Sequence, residues 1–383
     1  MTMNTPVYFD HNATTVLDER VMDAMLPFMS SQNNASSRHA FGRAARNAVD
    51  TAREQIANAV GAHPSQIVLT ASGTEANNFA VHGIAGNSFD KNIVISSIEH
   101  PCITRPALAL KKQGFQVQQV LPNAQGIIEK SVLSAILKLD TALVSVMLAN
   151  NETGVIQPIT DLAEIAKKQG AFIHTDAVQA LGKIAIHFAN LNVHAMTISS
   201  HKIGGPQGAG ALVLDKRVDV QPLLHGGGQE KGLRSGTENV SAIVGFGCAC
   251  ELAVANLQQY ASYTSQLRKL LEAELVRMGA VIFGQDATRI PNTSFFGFDH
   301  IEGETLVMAL DRKGFAVASG SACSSDSTEP SHVLLSMGVA PDLARSAIRV
   351  SFGLENTVEQ VMRFVVVLEQ ELKRLKLMVA IAA

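Results

Sequence analysis

Short apolar runs alternate with segments of helical periodicity from about residue 16 to residue 215 of this chain. Strand–helix alternation places parallel strands in one sheet with helices on its faces, so the pattern predicts a largely parallel α/β fold. The apolar runs that we assign to strands are Ile67–Leu69, Ile93–Ile95, Ala142–Leu148, Phe172–His174, Met196–Ile198 and Ala211–Leu214.

The length of the chain indicates more than one domain, because 383 residues are too many for a single compact core. After a long helical stretch at Val240–Gln258, weaker strands and further helices predict a smaller α+β domain. We assign residues 16–257 to a large domain, and residues 1–15 and 258–383 to the small domain. The segment 1–15 is expected to pack near the small domain or across the cleft between the two.

Composition narrows the classes of partner. Apolar residues make up 46% of the chain and charged residues 17%, which is typical of a folded soluble protein. A net charge of −3 gives no reason to expect nucleic acid or an anionic membrane as a partner. No signal-peptide pattern and no stretch fit to span a bilayer are visible. The four cysteines lack metal-ligand spacing, which favours free thiols, no metal site and a cytoplasmic location.

A lysine follows one of the predicted strands directly. The apolar run Ala195–Ile198 ends in hydroxyl groups, His201 and Lys202, and glycines and a proline come next. A lysine at the end of a buried strand is costly unless its ammonium group is paired or its amine is bound covalently. An imine with an aldehyde cofactor would remove that cost. The alternative is a lysine that reaches solvent beyond a turn.

Other predicted strands also end in polar groups, and ligands of open α/β sheets bind at that edge. Ser72-Gly73-Thr74 opens a helix and forms either a phosphate cradle or a simple helix cap. Asp176 is suited to pair with a pyridinium N–H, or it caps a turn. His100 is suited to stack on a planar ring and to move protons, or it is a solvated loop histidine.

Two neutral amides belong to the same edge. Asn151 and Gln179 are suited to bind a phenolate oxygen or a substrate carboxylate, or they satisfy local backbone groups. Arg349 alternates with apolar residues of a strand, so it either faces a cleft and binds a carboxylate or lies on the surface.

Cys323 differs from the other cysteines in its neighbours. Small and polar residues surround it, from Gly320 to Thr328, whereas structural cysteines tend to have apolar neighbours. A thiol that must meet two different partners needs such a segment, which makes Cys323 a candidate nucleophile. The alternative is an idle surface thiol.

Taken together, these motifs resemble the pyridoxal-phosphate enzymes of the class V aminotransferase group, and within it the cysteine desulfurases of the NifS/IscS type. The resemblance covers nearly the whole chain. It rests on Tyr8–Thr15, Thr74-Glu75, Glu99-His100, Asn150–Gly154, His174–Gln179, Ser200–Lys202, His225–Glu230, Arg234–Thr237, Ser319–Cys323 and Glu329–His332.

The resemblance implies a type I fold of pyridoxal-phosphate-dependent transferases. In that fold a large domain with a mostly parallel sheet binds the cofactor, and a smaller α+β domain carries the catalytic cysteine. Roles for individual residues follow from the matching motifs. Lys202 would hold pyridoxal 5'-phosphate as an imine. Its phosphate would be bound by Thr74, Ser199 and His201, and by Thr237 from the second subunit of a homodimer. On the ring, Asp176 would pair with the nitrogen, Gln179 would bind the oxygen, and His100 would stack on the face.

A reaction is implied as well. Arg349 and Asn151 would hold the carboxylate of L-cysteine, and Cys323 would attack the substrate sulfur. L-alanine and a persulfide on Cys323 would result, and the sulfur would pass to an acceptor protein, such as an iron–sulfur scaffold, for cluster assembly or tRNA thiolation. A selenocysteine lyase and an aminotransferase of the same fold are the alternatives. A cofactor-free scaffold that stores sulfur is a more distant one.

Overall fold

The computed structural model describes residues 6–320 and 329–382. Its strands are β1 (Val7–Tyr8), β2 (Ile67–Thr70), β3 (Asn92–Ser96), β4 (Gln116–Val120), β5 (Thr141–Ser145), β6 (Phe172–Asp176), β7 (Ala195–Ser199), β8 (Gly210–Leu214), β9 (Val281–Ile282), β10 (Thr293–Gly297), β11 (Phe315–Ala316), β12 (Ala318–Ser319) and β13 (Ile348–Ser351). Its α-helices are α1 (Glu19–Met29), α2 (Ala40–Ala59), α3 (Gly73–Gly86), α4 (Pro101–Leu110), α5 (Lys130–Ile136), α6 (Ile159–Lys168), α7 (Phe188–Leu191), α8 (Val240–Ala255), α9 (Leu257–Arg277), α10 (Gly303–Arg312), α11 (His332–Ser336), α12 (Pro341–Arg345) and α13 (Val358–Ala382).

A seven-stranded sheet forms the centre of the larger part, in the order β2-β8-β7-β6-β5-β3-β4. Strand β8 is antiparallel to its two neighbours and the other pairs are parallel, which confirms the predicted α/β sheet. Strand β4 was not among the predicted strands. It lies at the edge of the sheet, where its glutamines stay partly exposed, so its sequence lacks the continuous apolar run of a buried parallel strand.

Helices cover both faces of this sheet because successive strand side chains point to opposite faces. On β3, Val94 joins a core with helices α2, α6 and α8. Its neighbours Ile93 and Ile95 pack on the other face against α3 and α4. The side chains in β3, β5, β7 and β8 are all buried, as expected for a sheet enclosed on both sides.

The smaller part has its own core. Strands β12-β13-β10-β9 form an antiparallel sheet, and apolar residues of α9, α10 and α13 pack against it. The predicted single helical stretch Val240–Gln258 is interrupted at Asn256, where α8 and α9 meet at 69°. The break occurs because α8 packs on the large sheet, whereas α9 packs in the smaller core.

No single helix in the described part of the chain combines the length and the apolar character needed to cross a membrane. Among the described helices, only α8 and α9 taken together, across their bend, reach that length and composition.

The N-terminal segment connects the two parts. Strand β1 pairs with β11 in the smaller part, and Asp10 forms a bridge with Ser351 of β13. A few residues later the main-chain N–H of Thr15 donates to the oxygen of His201 at 3.0 Å. Asp18 then caps helix α1 by accepting from Arg20. The segment therefore passes across the cleft between the two sheets.

Candidate active site

A cavity of ≈ 440 Å³ opens where the carboxyl ends of the large-sheet strands face the N-terminal segment and β13. The predicted site residues that line it are Thr74, His100, Asn151, Asp176, Gln179, Ser199, His201, Lys202 and Arg349. The residues that line it but were not predicted include Asp10, Asn12, Asn77, Cys102, Met147 and Val178. The structure thus brings together side chains that follow separate strands.

One end of the cavity is formed by the start of helix α3. Ser72 caps this helix by accepting from the N–H of Glu75 at 3.1 Å, and Thr74 lies in its first turn. A Cβ on Gly73 would lie 3.0 Å from Val178 and 3.3 Å from Ser199, so glycine keeps this end open. The buried hydroxyl of Ser199 has no hydrogen-bond partner among the described residues. A helix N-terminus beside an unpartnered hydroxyl fits a phosphate group.

Asp176 is the buried carboxylate of the site, with 5% of its surface exposed. Its oxygens accept from Asn77 Nδ2 at 2.6 Å and from the N–H of Val178 at 2.9 Å. Burial raises its pKa, while these hydrogen bonds and the positive charge of Lys202 act in the opposite direction. A buried carboxylate is stabilised by a cationic donor, so a protonated ring nitrogen fits beside Asp176.

His100 caps helix α4 and is held as a neutral imidazole. Its Nδ1 accepts from the N–H of Cys102 at 3.2 Å, which places the ring proton on Nε2. Burial is the main cause that lowers the pKa of His100. Burial also raises the pKa of the Cys102 thiol, whose Sγ lies 2.9 Å from Nδ1. Cys102 is therefore held as a protonated thiol, a poor nucleophile.

Lys202 reaches the cavity from the short turn after β7. Its Nζ donates to the main-chain oxygens of Asn12 at 2.6 Å and Ala13 at 2.5 Å. The turn beyond it requires glycine, because Gly204 has a φ of +79° and a Cβ on Gly205 would collide with Ser200. Small residues are thus needed next to this lysine, as the sequence indicated.

His201 precedes this lysine and is uncharged near neutral pH. Burial, together with the positive charge of Lys202, lowers the pKa of His201 to about 4. Its Nδ1 lies 3.2 Å from the hydroxyl of Thr14. A neutral imidazole can still donate a hydrogen bond to an anion at this end of the cavity.

Arg349 lies on β13 and is buried, with 5% of its surface exposed. One guanidinium nitrogen donates to Asp10 Oδ1 at 2.6 Å, and another donates to the main-chain oxygen of Asn151 at 2.9 Å. It therefore faces the cleft rather than the surface. The ion pair with Asp10 was not predicted, because nothing in the sequence pattern links two residues so far apart in the chain.

Asn12 is a second site residue that sequence reasoning missed. It is 1% exposed, and its main-chain oxygen accepts from Gln179 Nε2 at 2.9 Å as well as from Lys202. Its side chain accepts from Lys183 Nζ at 2.8 Å and donates to Thr293 of the small sheet at 2.8 Å. Its place within the Tyr8–Thr15 motif was the available signal, although no role could be assigned there.

Two predicted residues do not line the cavity of the described chain. Thr237 is exposed on the segment between β8 and α8, so its predicted contact from a second subunit stays a prediction. Cys323 lies outside the described residues. The chain that leads toward it starts beside the site, since Ala318 of β12 pairs with Arg349 of β13.

Comparison with known proteins shows the family of this chain and proteins that are similar to it over nearly their whole length. The model of the family described as aminotransferase class V matches residues 7–364, so the chain belongs to this family. Its members use pyridoxal phosphate, the group that the cavity fits. The chain is 40% identical over 379 residues to "Cysteine desulfurase IscS" of Dictyoglomus turgidum, covering 98% of this chain and 96% of that protein.

Solved structures of similar fold also match nearly the whole chain. A "NifS-like protein" is 38% identical, with a TM-score of 0.90 over 96% of this chain and 100% of that one. A structure described as "SspA in complex with cysteine" is 33% identical, with a TM-score of 0.80 over 90% of this chain and 98% of that one. These neighbours confirm the predicted fold.

Proposed function

We propose that this chain is a pyridoxal-phosphate-dependent cysteine desulfurase that converts L-cysteine to L-alanine and places the sulfur on Cys323. The observation that carries the proposal is a single cavity that Lys202, Asp176 and the start of α3 all line. Full-length similarity to cysteine desulfurases selects this reaction among those of the family.

Residues on three sides of the cavity would hold the cofactor. Thr74, Ser199 and His201 would bind its phosphate beside the N-terminus of α3, and Thr237 of a second subunit would complete that site. Asp176 would pair with the ring nitrogen, Gln179 with the ring oxygen, and His100 would lie against the ring. Lys202 supplies the amine for covalent attachment. When bound, the cofactor withdraws electrons from the substrate α-carbon and so weakens its neighbouring bonds.

The substrate would be held by its carboxylate on Arg349 and Asn151, both of which line the cavity. A thiolate of Cys323 then attacks the substrate sulfur. The Cβ–S bond of L-cysteine breaks, an S–S bond forms on Cys323, and Cβ takes a proton. L-cysteine and the Cys323 thiol thus become L-alanine and a persulfide, with no external oxidant or reductant.

We propose a homodimer, a protein that accepts the sulfur, and a cytoplasmic location. The free thiols of Cys102, Cys248 and Cys250 support a reducing compartment. We also propose the division into a large domain, residues 16–257, and a small one, residues 1–15 with 258–383, which the separate apolar cores support.

The test is production of sulfide and L-alanine from L-cysteine, in the presence of a thiol reductant, by wild type, Lys202→Ala and Cys323→Ser. Both variants are expected to lose desulfurase turnover. Lys202→Ala should also lose the visible absorbance of the bound cofactor, whereas Cys323→Ser should keep it.

Cys248→Ser is the matched control, because Cys248 is half-buried on α8 away from the cavity. It should behave as wild type. Full activity in Lys202→Ala would refute the proposal. Full activity in Cys323→Ser would favour an aminotransferase or lyase in which this thiol is incidental.

A further inference from the structure

Lys183 is a buried lysine that the reaction described above does not use. It lies in the turn region after β6, and only 2% of its surface is exposed. Burial lowers its pKa well below the usual range, and the positive charges of Lys202 and Arg349 act in the same direction. A lysine is seldom kept at such a position unless its amine makes specific hydrogen bonds.

The amine donates to the side-chain amide oxygens of two cavity residues. Nζ donates to Gln179 Oε1 at 2.6 Å and to Asn12 Oδ1 at 2.8 Å. At the other end of the Gln179 amide, Nε2 donates to the main-chain oxygen of Asn12 at 2.9 Å. The amide of Gln179 is therefore fixed at both ends.

This arrangement decides which end of the amide is the oxygen. An amine that donates to Gln179 must face the oxygen, so the nitrogen and its second N–H remain for the cavity that Gln179 lines. A flipped amide would place its oxygen against the main-chain oxygen of Asn12, so two acceptors would meet, and it would present an acceptor to the ligand. The energy of a buried polar mismatch opposes that flip.

Lys183 also connects both sides of the cleft. Asn12, which accepts from it, donates through Nδ2 to Thr293 of the small sheet at 2.8 Å and to the oxygen of Asn151 at 3.1 Å. Asn292 Nδ2 donates at 3.2 Å to Asn12 Oδ1, the oxygen that also accepts from Lys183. The lysine thus belongs to a buried network that reaches the groups proposed to bind substrate.

We propose that Lys183 is a positioning residue that holds Gln179 with its N–H toward the cofactor ring oxygen. The proposal rests on the function proposed above. It predicts that removing the amine of Lys183 changes the electronic state of the bound cofactor in the same way as removing the amide of Gln179.

The experiment compares the holoenzymes of wild type, Lys183→Met, Gln179→Leu and the double variant. Methionine keeps the length of the side chain without its donor. The absorption spectrum of the bound cofactor is recorded as a function of pH. The readout is the midpoint, the pH at which the spectrum is halfway through its change. Lys183→Met and Gln179→Leu are expected to shift this midpoint in one direction, by about one pH unit, the size of a lost hydrogen bond to a charged group. The double variant should add nothing further.

Two more variants complete the design. Lys168→Met, an exposed lysine on α6, should leave the midpoint unchanged. Lys183→Gln keeps an N–H donor and should bring the midpoint part of the way back toward wild type. Lys183→Leu, which also lacks a donor, replaces Lys183→Met if that variant does not fold. A wild-type midpoint in Lys183→Met or Lys183→Leu, or additive shifts in the double variant, would overturn the positioning role. Wild-type protein that binds no cofactor would instead overturn the proposed function.

Discussion

Two walls of the cavity are built in different ways. The large-sheet wall (His100, Asp176 and Lys202) takes its side chains from the ends of separate strands. The N-terminal wall (Asp10, Asn12 and Arg349) takes them from the chain's first segment and from a residue within β13. The first wall would bind the cofactor, and the second would bind the substrate and close the site.

The difference explains what each wall contributes chemically. Residues at strand ends are fixed by a rigid sheet, so they suit groups that must stay aligned with a cofactor ring. Residues of the N-terminal wall are fixed by one another, through the Asp10–Arg349 ion pair and the hydrogen bonds of Asn12. Changes in the large-sheet wall should therefore affect turnover, and changes in the N-terminal wall should affect substrate binding.

The largest effect is expected from Asp176→Asn in the large-sheet wall. Asparagine has nearly the same shape but cannot stabilise a positive ring nitrogen. We expect kcat for L-cysteine to fall by about 100- to 1,000-fold, the cost of removing one aligned electrostatic contact. Steady-state alanine production measures it. Asp161→Asn, which affects only an exposed ion pair with Lys130, serves as the control. A change confined to KM would contradict the assigned role.

Arg349→Met in the N-terminal wall should show the opposite pattern. The loss of a charge-assisted contact to the substrate carboxylate predicts a KM higher by about 10- to 100-fold, with a smaller change in kcat. Arg345→Met removes an arginine in a surface ion pair with Asp342 and is the matched control. Equal KM values for Arg349→Met and wild type would show that the substrate carboxylate binds elsewhere.

Glu99, which precedes His100 in the chain, should make the stability of the fold depend on pH. Burial raises its pKa from the usual 4.5 to about 8, and its Oε1 accepts from the N–H of Met147 at 2.7 Å. Between these values the folded state keeps a proton that the unfolded state has lost, so stability falls as pH rises from about 4.5 to about 8.

Glu99→Gln removes this titration and keeps an oxygen for Ser96 and Met147. The free energy of unfolding is measured with denaturant at pH 5 and at pH 8. Its fall between these two pH values should be smaller in the variant than in wild type by at least about 1 kcal/mol. An identical slope in both proteins would mean that Glu99 has an ordinary pKa.

The smallest effect is expected from Asp10→Asn. Asparagine keeps an acceptor for Arg349 but removes the negative charge that faces an incoming carboxylate. The KM for L-cysteine should fall by about 3-fold, the size of a partly screened repulsion. In an Arg349→Met background the guanidinium no longer offsets this charge, so the same change should still lower the KM. A rise in KM would show that the charge of Asp10 is needed to orient Arg349.

The same contrast separates what the sequence could predict from what it could not. Residues such as Lys202 and Asp176 follow apolar runs directly, and the carboxyl ends of parallel strands meet at one edge, so local sequence was sufficient. The Asp10–Arg349 ion pair and the Asn12–Thr293 hydrogen bond join residues that are 339 and 281 positions apart. No local periodicity carries that information. Lys183 was missed for a similar reason, since its partners are set by tertiary packing.

The most direct test of the account is the location of the sulfur after reaction. The enzyme is incubated with L-cysteine without a reductant or acceptor, and its peptides are analysed by mass spectrometry. We predict that the peptide containing Cys323 gains the mass of one sulfur atom and that L-alanine is released in equal amount. Release of L-alanine with unmodified Cys323, or with the added sulfur on Cys102, would contradict the account.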